Sequence, residues 1–162
     1  MAKDEIQVKK ADSILNDLDR LHAAISQRAY DLFRGHEGFF PGALADWFNA
    51  ERELVWSPAI ELRQKEGQFE LTASVAGLDP KDVEVQATAE DILIKGKTEH
   101  THESKGGAVH VCEFQSGQLF RSIHLPERID PDTVKAEQRH GMLHLTAKIA
   151  KPAARKVDVQ AA

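Results

Sequence analysis

Phe69-Glu70-Leu71-Thr72-Ala73-Ser74-Val75 alternates apolar and polar residues without a miss. Successive side chains of an extended backbone point to opposite faces, so this period of two predicts a strand with one buried side. The same period recurs outward in short runs: Val83-Glu84-Val85-Gln86-Ala87, Ile92-Leu93-Ile94, then residues 109–114, 119–125, 133–137 and 142–149. Gly77-Leu78-Asp79-Pro80, Gly96, Gly106-Gly107, Gly117, Pro126, Asp130-Pro131 and Gly141 punctuate them. Short strands at such regular spacing, with no helix-period run between them, predict an all-β antiparallel β-sandwich. The one long connection, residues 97–108, is too polar for a core and is expected to project.

Upstream the period changes. From Ala11 to Leu32 the residues Ile14, Leu15, Leu18, Leu21, Ile25 and Leu32 recur at three and four, which predicts an amphipathic helix stopped near Gly35. Leu18 and Leu21 also fit a short coiled-coil seam. Beyond it lie Phe33, Phe39, Phe40, Leu44, Trp47, Phe48, Leu54, Val55 and Trp56, without sustained period. Downstream, residues 150–156 are small, basic and proline-bearing, the composition of a flexible tail, and Val157-Asp158-Val159 follows as an isolated apolar pair at strand spacing.

The chain of 162 residues, 41% apolar, can bury one core and carry extensions. With 21 basic against 26 acidic residues its net charge is −5, so no field draws it to nucleic acid or an anionic membrane, and protein partners are expected. No uncharged apolar run approaches the ~20 residues of a membrane span, and the first residues carry no apolar signal core, so a cytoplasmic location is expected. The single cysteine, Cys112, fits a reducing compartment and reads as a small half-buried residue. There is no Gly-x-Ser-x-Gly elbow and no phosphate-binding glycine loop, so neither catalysis nor a cofactor is expected. His100-Thr101-His102 with His110 nearby invites a metal reading, but no cysteine pair, His-Glu-x-x-His run or carboxylate loop accompanies it, and a solvated polar loop without metal is expected.

Gly117-Gln118-Leu119-Phe120-Arg121-Ser122-Ile123-His124-Leu125-Pro126, followed by Ala136-Glu137-Gln138-Arg139-His140-Gly141-Met142-Leu143, resembles the small heat-shock protein, or α-crystallin, family. Ala76-Gly77-Leu78, Asp82-Val83-Glu84-Val85 and Leu93-Ile94-Lys95-Gly96 look like that family's turn and fourth and fifth strands, and Val157-Asp158-Val159 looks like its tail motif. Departures are Leu119 where an aromatic is common, Ala147-Lys148-Ile149 without a closing proline-lysine, and valines for isoleucines in the tail. The last is expected to weaken docking, since each lost buried methylene is worth about 0.8 kcal/mol.

The resemblance implies an N-terminal arm over residues 1–55, partly helical, an immunoglobulin-like sandwich (the α-crystallin domain) over 56–149, and a C-terminal extension over 150–162. It implies a homodimer that assembles into larger homo-oligomers and holds unfolding client proteins without ATP. In bacterial members a strand of the long loop swaps onto the partner; here Val109-His110-Val111-Cys112-Glu113 is the candidate, and Ala59-Ile60-Glu61-Leu62 its acceptor edge. The alternative is a related sandwich serving one partner as a co-chaperone or adaptor.

Parity puts Arg121 on the face of Leu119, Ile123 and Leu125, so its charge needs a partner there. The family resemblance implies that it is an interface arginine paired with a carboxylate across the dimer, unless a bulge turns it outward. Val157 and Val159 suit strand addition in a groove lined by Val83, Val85, Val134 and Ala136. Phe33, Phe39, Phe40, Leu44, Trp47, Phe48 and Trp56 are the client-binding candidates, with packing of the oligomer interior as the competing use.

Overall fold

The computed structural model describes residues 4–11, 14–35, 42–100, 102, 107–114 and 116–152. In chain order these form β1 (Asp4–Ile6), β2 (Val8–Lys10), α1 (Leu15–Gly35), α2 (Ala43–Leu54), β3 (Val55–Trp56), β4 (Ile60–Lys65), β5 (Gln68–Ser74), β6 (Val83–Ala87), β7 (Asp91–Thr98), β8 (Gly117–His124), β9 (Lys135–Arg139) and β10 (Met142–Lys148). They make two five-stranded sheets, ordered β1-β9-β10-β5-β4 and β2-β6-β7-β8-β3. The pairings among β4 to β10 are antiparallel, whereas β2 joins β6 and β3 joins β8 in parallel.

The alternation in β5 does what its period requires: Phe69, Leu71 and Ala73 are buried against Val83, Val85 and Ala87 of β6 and Leu143, Leu145 and Ala147 of β10. Each large apolar side chain so buried contributes about 1.5–3 kcal/mol before ordering costs. Register is set at the turn between β9 and β10, where His140 and Gly141 both take positive φ (52° and 74°). Two such residues form the tight hairpin turn whose twist suits paired strands, and glycine adopts it without strain.

Ile92-Leu93-Ile94 in β7 is fully buried on both faces, which a half-exposed strand would not tolerate. Ile92 and Ile94 face the sandwich core, while Leu93 joins Phe120 and Ile14 in a second cluster beneath Leu18 and Leu21 of α1. The first half of α1 therefore roofs the outer face of the β6-β7-β8 sheet. Its second half packs Ile25 and Ala29 against Ala50 of α2, with Arg28 and Glu53 paired across the helices at 2.7 Å.

The predicted helix is present, beginning at Leu15 and running to Gly35. α2 was not legible as a helix, because its buried positions are Asp46 and the small Ala50 rather than a row of large apolar residues. Residues 109–114, expected as a strand, form none: they pair with nothing among the described residues. The arm also supplies β1, β2 and β3 to the sheets, which its lack of period concealed. Gly117 opens β8 at φ 110°, where an added Cβ would lie 2.9 Å from the Leu54 carbonyl oxygen, so the end of α2 passes directly over it.

Candidate functional site

Three features of the surface could join one chain to another. The first is the groove edge of the sandwich. Val83, Val85, Val134 and Ala136 are all buried, and the segment closing over them is the chain's own Asp4–Lys10 stretch. β1 adds to β9 with Ile6 opposite Ala136, and β2 adds to β6 with Val8 opposite Val85; only Gln7 separates the two sheets. Ile6 is 5% exposed and belongs to the main core, with Val8 packed against it. Charged neighbours hold the segment from outside: Lys9 reaches Glu84 at 3.2 Å and Lys10 reaches Asp132 at 3.0 Å. The sequence reading missed this occupant, although Ile6-Gln7-Val8 has the same apolar-x-apolar spacing as Val157-Asp158-Val159. Val157 and Val159 themselves lie outside the described residues.

The second feature is β8. Its register with β7 is continuous from Asp91 opposite His124 to Thr98 opposite Gly117, so no bulge reorients Arg121. Arg121 stands opposite Ile94 and between Leu119 and Ile123, half-buried, and its Nε is buried with no hydrogen-bond partner among the described residues. A buried donor left unpaired costs about 1–3 kcal/mol, more on a charged group. The third is the long loop. Val111 is 78% exposed and Phe114 75%, with Val109 also outward. Cys112 is exposed as well, which corrects the half-buried reading: the residue sits on a segment outside any strand or helix that no element among the described residues covers. Ile60, Glu61 and Leu62 lie on β4, the last strand of its sheet, which pairs only with β5 among the described residues and leaves its other edge open; Ala59 directly precedes it and accepts a bond from the Ser74 N–H.

The aromatic arm divides. Trp47 is half-buried between the helices with Leu21 and Leu32, and Trp56 is half-buried with Nε1 donating to Thr98 Oγ1 at 2.9 Å. Leu44, 69% exposed, projects outward, as do Tyr30, Phe33 and Phe48. Phe39 and Phe40 lie outside the described residues. A cleft of about 600 Å3 opens beside the helices, lined by Leu21, Ala24, Leu54, Lys95, Gly96 and Gln118.

One charged chain ties arm to sandwich. Lys95 of β7 donates to Asp17 of α1 at 2.9 Å and meets Glu84 of β6 at 3.2 Å, and Glu84 also holds Lys9 of β2. A hydrogen bond from Gln86, then those from Lys9 and Lys95, hold the Glu84 carboxyl down at about 2. Burial alone would lower the Lys95 ammonium, but its bonds to Asp17 and Glu84 outweigh that and keep it above its ordinary value. Because the folded value of Glu84 lies below the ordinary 4.5, its contribution is whole above pH 4.5 and is lost as pH falls toward 2. Acidification across that window is expected to loosen β2, which Glu84 meets through Lys9, before it affects the sandwich. Amide exchange should then lose protection at residues 8–10 while residues 69–75 keep it, and Glu84→Gln should show the same local loss at neutral pH. Simultaneous loss in both regions would count against this coupling.

Comparison with known proteins agrees with the architecture. The Hsp20/alpha crystallin family profile matches residues 61–160. A probable 15 kDa heat shock protein of Leptospira interrogans is 30% identical over 110 residues, 68% of this chain and 83% of that protein. Small heat shock protein C2 of Rickettsia felis is 26% identical over 155 residues, 95% and 96% of the two chains. Among solved structures, a small heat-shock protein of Xylella fastidiosa, described as having a distinct high order structure, superposes with TM-score 0.53 at 30% identity, over 65% of this chain and 98% of that one. Heat shock protein 16.0 of Schizosaccharomyces pombe superposes with TM-score 0.55 at 23% identity over 66% and 99%, a likeness of fold.

Proposed function

This chain belongs to the Hsp20/alpha crystallin family, a family of small heat-shock chaperones, and from that premise we propose that it is an ATP-independent holdase that binds unfolding proteins and keeps them from aggregating. The observation that carries the reading is the helical hairpin of the arm, which turns Tyr30, Phe33, Leu44 and Phe48 outward while its inner face rests on the sandwich. Apolar groups of mixed shape can repack against many exposed apolar surfaces, which suits clients of no fixed sequence. Burial on folding gives such clients no reason to bind once they are native.

The same reading assigns the assembly contacts. Arg121 meets a carboxylate of a second copy, residues 109–113 of one chain add to the open β4 edge of its partner, and Val157 and Val159 dock in the groove of a neighbour by displacing that neighbour's Ile6 and Val8. An edge strand left open and an apolar extended segment left unpaired are complementary needs, and mutual exchange satisfies both with closed two-fold symmetry. The exposed unpaired Cys112 fits residence in a reducing cytoplasm. No helix among the described residues is long and apolar enough to cross a membrane.

Light scattering from a heat-unfolding model enzyme, at rising ratios of this protein and without nucleotide, tests the activity. Suppression near equal mass, unchanged by ATP, is the expected result. No suppression at any temperature from a folded sample, together with a monomeric mass, would replace holding with the single-partner adaptor role.

A further inference from the structure

His100, His102 and Cys112 converge on the loop between β7 and β8, all exposed, with one ligand atom of each within 4.8 Å of the others. We propose that they bind one zinc ion through two imidazoles and a thiolate. The rings of His100 and His102 meet edge-on at 5.0 Å. Cys112 arrives from the returning limb, which the structure fastens to the outgoing one in three places. Thr98 Oγ1 donates to the Gly117 carbonyl at 3.1 Å, the His100 N–H donates to Ser116 Oγ at 3.3 Å, and the His100 ring lies 4.7 Å from that of Phe114. The juxtaposition of ligands from both limbs therefore follows from the β7–β8 register rather than from a chance meeting of side chains.

Tetrahedral zinc holds imidazole nitrogen at about 2.0–2.1 Å and thiolate sulfur at about 2.3 Å. That brings ligand atoms to roughly 3.3–3.6 Å from one another, and exposed side chains can close such a gap by changing rotamer. Two nitrogens and a sulfur suit a borderline or soft ion, and disfavour magnesium and calcium, which need oxygen. The nearby Glu99 carboxylate is already taken by Lys97. Three protein ligands leave the fourth position to water. Binding exchanges the Cys112 S–H bond for a sulfur–zinc bond and releases one proton.

The test uses the full chain, reduced and stripped with chelator, titrated with cobalt(II) and then with zinc(II). Expected are saturation at one ion per chain, a near-ultraviolet thiolate-to-cobalt charge-transfer band, and its loss on adding zinc. Cys112→Ala should abolish the band, and His100→Ala and His102→Ala should each weaken zinc binding at least about tenfold, whereas His110→Ala should leave it unchanged. All four positions are exposed, and circular dichroism confirms the fold of each variant. No charge-transfer band at saturating cobalt, or equal zinc affinity in Cys112→Ala and the parent, overturns the site.

Discussion

Arg121→Ala is expected to weaken the dimer by roughly two to four decades, the equivalent of about 3–5 kcal/mol, while leaving the fold of the single chain intact. The side chain stands on the apolar face of β8 between Leu119 and Ile123, and its Nε is buried without an acceptor among the described residues. Within one chain that arrangement is a cost, since Nε has given up water and gained no acceptor among the described residues. A carboxylate arriving from a second copy would supply the missing acceptor, and the planar fork of arginine suits a carboxylate better than lysine does. Truncation therefore moves two observables differently. The dimer constant measured by sedimentation should fall steeply, because the partner's carboxylate is left buried and uncompensated. The thermal midpoint at concentrations too low for dimerisation should stay level or rise slightly. Arg121→Lys should fall between, keeping the charge and losing the Nε donor. If the arginine serves only the fold, the pattern reverses: the midpoint drops and the dimer constant holds.

Parity together with the family resemblance made Arg121 conspicuous, and the same parity made the strands of the sandwich legible. Phe69, Leu71, Ala73 and Val75 face a core while their neighbours face water, so composition records the environment residue by residue. Legibility failed wherever that contrast failed. Leu93 is apolar because α1 lies on it, and nothing in its own run announces a second covered face. Val109 and Val111 alternate like a strand although no element among the described residues receives them. Alternation reports a preferred environment, and a second molecule can supply it as well as the same one. The zinc ligands show a further limit: His100-Thr101-His102 is visible in sequence, but Cys112 joins it only because Thr98 stands opposite Gly117. β1 and β2 are three residues each, too short for any periodicity to register.

Those two short strands carry the other large effect. Ile6→Asp is expected to expel the Asp4–Lys10 segment and raise the affinity of the groove for a peptide spanning residues 154–162 by about 10- to 100-fold. Ile6 is 5% exposed beside Ala136, and burying such a side chain is worth about 1.5–3 kcal/mol. An aspartate there loses that contribution and adds a desolvated charge, so the segment no longer competes. When a site is open only a fraction of the time, its apparent affinity is reduced by that fraction, and opening it restores the difference. The outer pairs of Lys9 with Glu84 and Lys10 with Asp132 are exposed and add little to hold the segment once Ile6 is lost. Fluorescence anisotropy of the labelled peptide against parent and variant reads the change, and amide exchange at residues 4–10 confirms release. A Val157→Asp, Val159→Asp peptide should bind neither protein. Equal affinity for parent and variant, with release confirmed, would mean that the tail does not use this groove, and the assembly would then rest on Arg121 and the exchanged loop alone.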